Sequence, residues 1–216
     1  KEKFEKAIRW AEEQNYEHLK IWLQVQYAQY LYQFRNMPQS LPIVIRLSDE
    51  INKIPEEDLI HPEESFRFIG YYLSTIQQHQ KSIHFLKQSV KNTTDQNLLA
   101  ALYDNIGIGH LRLKNYKEAE KHFSQALEIA ERQRDTIRIA KIYGNQALLY
   151  WELKQGNKAI GLLLKDIEFS KKGNALQNQM FAQIALGKIY WQQNKPEQSE
   201  KTLKEAYNIA LSKDTY

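Results

Sequence analysis

The chain has 216 residues, of which 42% are hydrophobic and 26% charged, and a formal net charge of +4. That balance belongs to a folded domain able to bury its own core, and the lack of cysteine excludes disulfides, thiolate metal sites and cysteine nucleophiles. Lys and Arg alternate with Glu and Asp, so no nucleic-acid footprint is expected, and no apolar run reaches the ~18 residues of a membrane span.

Only 8 Gly and 5 Pro interrupt a sequence rich in Leu, Ile, Ala, Lys, Glu and Gln, so the expected elements are helices. The first stretch, 1–14, carries Phe4 and Ala7 and matches the second half of a helical unit. A unit over about 16–54 follows, marked by Tyr27, Ala28, Leu31, Ser40, Val44 and Leu47, with a Pro-started second helix at about 39–53. An acidic, Pro-containing connection leads to a unit over 63–92, marked by Phe66, Ile69, Gly70, Leu73, Ser82, Leu86 and Ser89. The repeat phase survives that connection, so one continuous array over 1–216 is expected. Three further units, 96–132, 136–172 and 176–213, align without gaps at a period of 40 residues.

Small residues recur at fixed places in these units, at Gly107, Ala147 and Gly187 and again at Ala119, Ala159 and Ser199. Each unit reads as two antiparallel helices. The small residue in the first lets the second approach closely, and large residues such as Tyr103, Leu111, Phe123 and Leu127 fill the space beside it. A lone hairpin cannot cover its apolar face, so units stack and share a core. Turns are expected at Lys114-Asn115, Gln155-Gly156-Asn157 and Gln193-Asn194-Lys195-Pro196, and helix breaks at Thr94-Asp95, Arg134-Asp135 and Gly173-Asn174.

These residues resemble the tetratricopeptide repeat family. Tyr103, Ile106, Gly107, Ala119, Phe123 and Ala126 follow its pattern, with His110 where Tyr is usual. The likeness covers essentially the whole chain, in units of about 40 residues where the family's basic unit is ~34. It implies an all-α, right-handed α-α superhelix of about five hairpins plus an N-terminal half repeat; the half repeat, with Ala7 placed 21 residues before Ala28, leads to the expectation of a fragment of a longer protein. It also implies a partner held on the concave side, and no catalytic residues. Long units of this kind are similar to those of signalling scaffolds and bacterial peptide-sensing regulators.

No pattern for chemistry stands against that expectation. The six histidines, His18, His61, His79, His84, His110 and His122, show no tight metal-ligand spacing and are expected in packing or surface roles. Gly107-Ile-Gly109 lies inside a helix and follows no strand, so no dinucleotide loop is expected. Carboxylates pair with cations at helical spacing, as Glu118 with His122 and Glu128 with Arg132. No cofactor and no metal are predicted.

By template position, the predicted partner-binding residues are Arg67, Tyr71, Asp104, Asn105, Arg112, Lys141, Asn145, Trp151, Lys188 and Trp191. Trp151 and Trp191 stand 40 apart and are read as an indole ladder or as wedges between first helices. Asn105 and Asn145 also stand 40 apart and suit either a peptide backbone or a bond to the neighbouring helix. The Lys and Asn of the carboxylate clamp in chaperone-tail adaptors are missing; those positions hold pairs such as Asp104 with Ile108 and Gly144 with Leu148. The expected partner is thus a protein or peptide segment, extended or an amphipathic helix. The expected role is a non-catalytic binding module of a larger signalling or transcription-regulatory protein, cytoplasmic and, by composition, bacterial. Two alternatives stay open: a regulator sensing a short pheromone-like peptide, and a self-associating scaffold or homodimer.

Overall fold

The computed structural model describes residues 1–213, and its regular elements among them are helical. The chain forms two compact units, Lys1–Thr94 and Asp95–Tyr216. The division falls at the predicted Thr94-Asp95 break and not in the Pro-containing connection.

The first unit contains α1 (Glu2–Glu13), α2 (Glu17–Gln33), α3 (Met37–Glu50), α4 (Pro62–Thr75) and α5 (His79–Lys91). Consecutive helices pair as α1 with α2, α2 with α3 and α4 with α5, and α4 also packs on α2 and α3. The helix expected at 39–53 starts earlier, with Pro38 in its first turn where a missing N–H costs nothing. It ends at Glu50 and tightens into a 3-10 turn, Ile51–Lys53. Pro55 explains the end, because it forces Ile54 into the extended conformation seen at φ −96°, ψ 133°. Val25, Ala28, Val44, Leu47, Ile69 and Leu73 form the centre of this unit's core.

The second unit contains α6 (Gln96–Arg112), α7 (Tyr116–Arg132), α8 (Thr136–Glu152), α9 (Gly156–Lys172), α10 (Leu176–Gln192) and α11 (Pro196–Lys213). Helices α6, α8 and α10 begin 40 residues apart, as do α7, α9 and α11. Pairs α6–α7, α8–α9 and α10–α11 are hairpins, α7 packs on α8 and α9 on α10, and the first helices touch as α6–α8 and α8–α10.

The small-residue template is realised as atomic contact. A Cβ on Gly107 would stand 2.6 Å from the Phe123 ring, one on Gly187 2.7 Å from Leu203, and one on Gly70 2.8 Å from Leu86. Each contact joins residues 16 apart, from the first helix of a hairpin to the second. A second element recurs 12 residues on. Ser40, Ser82 and Ser199 donate their hydroxyls to the carbonyls of Ala28, Gly70 and Gly187 at 3.0, 2.8 and 2.9 Å. The unit around Ala28 is faint in sequence, and this bond places it in the same register.

Helix ends repeat as strictly. Lys114, Arg134, Lys154, Asn174 and Asn194, spaced by 20, all adopt left-handed φ between 51° and 61°. At the first, Lys114 N–H returns to the carbonyl of Leu111 and Asn115 N–H to that of His110, both at 2.9 Å. Two otherwise orphaned carbonyls are thereby satisfied. In the Gly173-Asn174 pair the left-handed residue is Asn174, while Gly173 sits at φ −87°.

Candidate functional site

In the Asp95–Tyr216 unit, α6, α8 and α10 together with part of α9 line a cavity of about 540 Å³. Its floor holds two buried carboxylates. Asp104, on α6, is 3% exposed and accepts a 2.8 Å hydrogen bond from Asn145 Nδ2 on α8. Burial pushes its carboxyl up to about 6, against the opposing pull of Asn145, Arg138 and Lys141. Asp166, on α9, is 5% exposed and accepts a 3.0 Å bond from Ser170 Oγ. Burial pushes it up to about 7, with only the Ser170 hydroxyl pulling the other way.

The repeat explains how the second carboxylate is accommodated. Asp104, Gly144 and Ile184 are equivalent positions, and so are Ala126, Asp166 and Ala206. One hairpin carries its acid on the first helix and Ala on the second; the next carries Gly on the first and its acid on the second. Gly144 leaves room for it: a Cβ there would stand 2.6 Å from Asp166 Oδ2, which would have to shift.

Around the acids the wall is mixed. Ile108, Leu148, Leu163, Phe181, Ala182 and Ala185 supply apolar surface, and Phe181 is 55% exposed. Donors face the same space: Arg138, Lys141, Asn105 and Asn178 line it. Arg138 Nε and Asn178 Nδ2 are buried and make no hydrogen bond among the described residues. Buried donors of this kind are uncommon without a function.

Four of the sequence-predicted residues, Asp104, Asn105, Lys141 and Asn145, meet in this cavity. Trp151 and Lys188 line an adjoining space of about 210 Å³ that shares Gly144, Leu148, Leu163 and Ala185 with the first. Trp191 lies apart from both. It is 68% exposed and lines a separate hollow with Pro196, Leu203 and Tyr207, so the two indoles occupy different surroundings. Arg112 is an exposed residue at the end of α6. Arg67 and Tyr71 are half-buried on α4 in the other unit. Leu111, one residue before Arg112, is 5% exposed and belongs to the core.

The amides are partly committed. Asn145 bonds the neighbouring helix through Asp104, and Asn105 Nδ2 bonds the Ala101 carbonyl at 2.8 Å. Each amide retains one N–H and its carbonyl. Sequence reasoning missed Arg138, Asp166 and Asn178. For Asp166 a signal existed: an acid standing where the neighbouring units have Ala126 and Ala206.

Antiparallel helix pairs in register, with a lined groove along their first helices, define a helical-repeat fold. Residues 98–172 and 182–212 are tetratricopeptide repeats, each segment matching a model of that family. Among curated proteins, response regulator aspartate phosphatase I of Bacillus subtilis (strain 168) is 30% identical over 122 residues, 51% of this chain and 29% of the relative. The chain thus spans less than a third of that relative's length. Among solved structures, aspartyl phosphate phosphatase F from Bacillus subtilis superposes with a TM-score of 0.78 at 15% identity, covering 93% of this chain and 54% of the other. A Rap protein complexed with competence and sporulation factor gives 0.71 at 17% identity, covering 89% and 54%. These structural likenesses concern the fold. Among the described residues, no helix is long and apolar enough to cross a membrane.

Proposed function

We infer that the groove of the Asp95–Tyr216 unit receives an extended peptide segment bearing a cationic group, as the receiving module of a larger regulatory protein. The observation that carries this reading is the pair of buried acids, Asp104 and Asp166, under a cavity walled by apolar side chains and amides. Asp166 is the seat for the cation. No Arg or Lys counters its burial, so an incoming guanidinium or ammonium supplies the missing partner. Asn105, Asn145, Asn178 and Arg138 suit the peptide's backbone, and Phe181 with Leu148 its apolar side chains. Binding rather than catalysis is the reading, because each acid is held by a neighbour, Asn145 or Ser170, in place of a reacting partner. The likeness to a response regulator aspartate phosphatase, and in fold to a Rap protein complexed with competence and sporulation factor, supports a receiving role.

The test is fluorescence anisotropy with labelled pentapeptides differing only in Arg against Gln. Arg-containing peptides should bind at least tenfold tighter, and Asp166→Asn should erase that difference. Affinity should also rise from pH 6 to pH 8, since the Asp166 carboxyl must be ionised to pair with a cation. Equal binding of both peptide classes, unchanged by Asp166→Asn, would end the reading.

A further inference from the structure

Away from the groove acids, α6 and α7 bring three potential metal ligands together. His110 comes from the last turn of α6, and Glu118 and His122 from α7. One donor atom from each lies within 4.8 Å of the others. The two imidazoles are buried, with ring centroids 5.4 Å apart and planes 6° from parallel. The Tyr103 ring stacks on the His122 ring at 5.9 Å and 17°. His122 therefore lies between two rings. Glu118 is one helical turn before His122 on the same face, with its carboxylate 3.9 Å from Nε2 and its side chain half exposed.

We propose that His110, Glu118 and His122 form a Zn²⁺ site that clips α6 to α7 beside their turn. Two neutral imidazoles and one carboxylate are a ligand set suited to zinc, and three protein ligands leave a fourth position for water. Donors about 2.0–2.1 Å from a tetrahedral ion stand roughly 3.3 Å apart, so closure from 4.8 Å requires movement of about 1.5 Å. Glu118 can supply part of it, because its exposed side chain is free to change rotamer; the two parallel rings must also turn about their Cβ–Cγ bonds, since imidazole lone pairs lie in the ring plane. The exposed carboxylate also gives the ion a route from solvent, and its charge offsets part of the ion's. Sequence spacing conceals the set because His110 and His122 lie on opposite sides of the turn Leu113–Asn115 and meet only when the hairpin closes.

The experiment is isothermal titration of tag-free protein with ZnCl₂ at pH 7.5, repeated on Glu118→Gln and His122→Asn. Wild type should bind one equivalent with micromolar or tighter affinity. Co²⁺ in its place should give the visible bands of a four-coordinate N/O site. Glu118→Gln, at an exposed position, should keep the metal-free melting temperature while weakening Zn²⁺ at least tenfold. His122→Asn should weaken it at least a hundredfold. Absence of binding up to 1 mM ZnCl₂ would overturn the site, written as roughly 4 kcal/mol of affinity or less. So would wild-type affinity in Glu118→Gln, which would place the metal elsewhere, for example on another of the six histidines.

Discussion

The two compact units apply one packing rule with different degrees of regularity. In Asp95–Tyr216 the helices begin at fixed 20-residue steps and the left-handed closing residues fall on the same count. In Lys1–Thr94 the helices are of unequal length, and two 3-10 turns, Ile51–Lys53 and Glu56–Asp58, with Pro55 between them, fill the stretch before α4, which opens on Pro62. Yet Gly70 meets Leu86 as Gly107 meets Phe123, and the hydroxyls of Ser40 and Ser82 donate to the carbonyls 12 residues before them, as that of Ser199 does. What specifies a hairpin is therefore the close approach of its two helices. Helix length and connection are free to vary around that contact. The groove acids lie in the regular unit, where equal spacing stacks equivalent positions of successive first helices along one face.

The comparison breaks most readily at the close approach. Gly107→Leu should lose about 3 kcal/mol or more by overpacking against Phe123, and Gly70→Leu a similar amount against Leu86, in urea denaturation followed by circular dichroism. A large loss in only one unit would show that the shared contact is not the shared determinant.

The acids are the next lever, because they distinguish the second unit. Both carboxyls are raised above their unfolded value, so between about pH 4 and 7 the native chain holds more protons than the unfolded one. Their burial is least costly at the acid end of that window, and stability falls as pH rises through about 6 for Asp104 and about 7 for Asp166. Asp166→Asn should therefore stabilise by on the order of 2 kcal/mol at pH 8 and by little at pH 4. Melting curves across pH for both proteins check it, and parallel curves would refute the burial of an ionisable group there.

Smaller effects refine the rule. Ser199→Ala should cost about 1 kcal/mol, because the Gly187 carbonyl loses a buried donor, and Ser82→Ala should match it in the other unit. Gly161→Ala should instead gain about 0.5–1 kcal/mol, since nothing lies within 4 Å of its would-be Cβ on the exposed face of α9. Thermal melts resolve both. A loss at Gly161 would mean that its position serves something other than helix formation.

The fold was legible because repetition multiplies weak signals. One Gly in a helix means little, but small residues recurring at Gly107, Ala147 and Gly187 mark a slot that only close helix packing requires. The groove was half legible. Asp104, Asn105, Lys141 and Asn145 follow from the helical stripe of α6 and α8, because facing direction depends on local periodicity. Asp166 escaped because it lies on a second helix, whose template positions pointed into the hairpin. Trp191 marks the limit of position in the repeat: it is equivalent to Trp151, yet the neighbours that surround the two differ.

Sequence by itself determined the elements, their pairing and their spacing, since these depend on residues near one another along the chain and on a count that repeats. Tertiary structure alone decided which side chains share a space. It set Gly144 against Asp166 and His110 against His122, pairs contributed by different helices. Burial and proton affinity belong to that second class, because they depend on what surrounds a group in three dimensions and not on its neighbours in sequence.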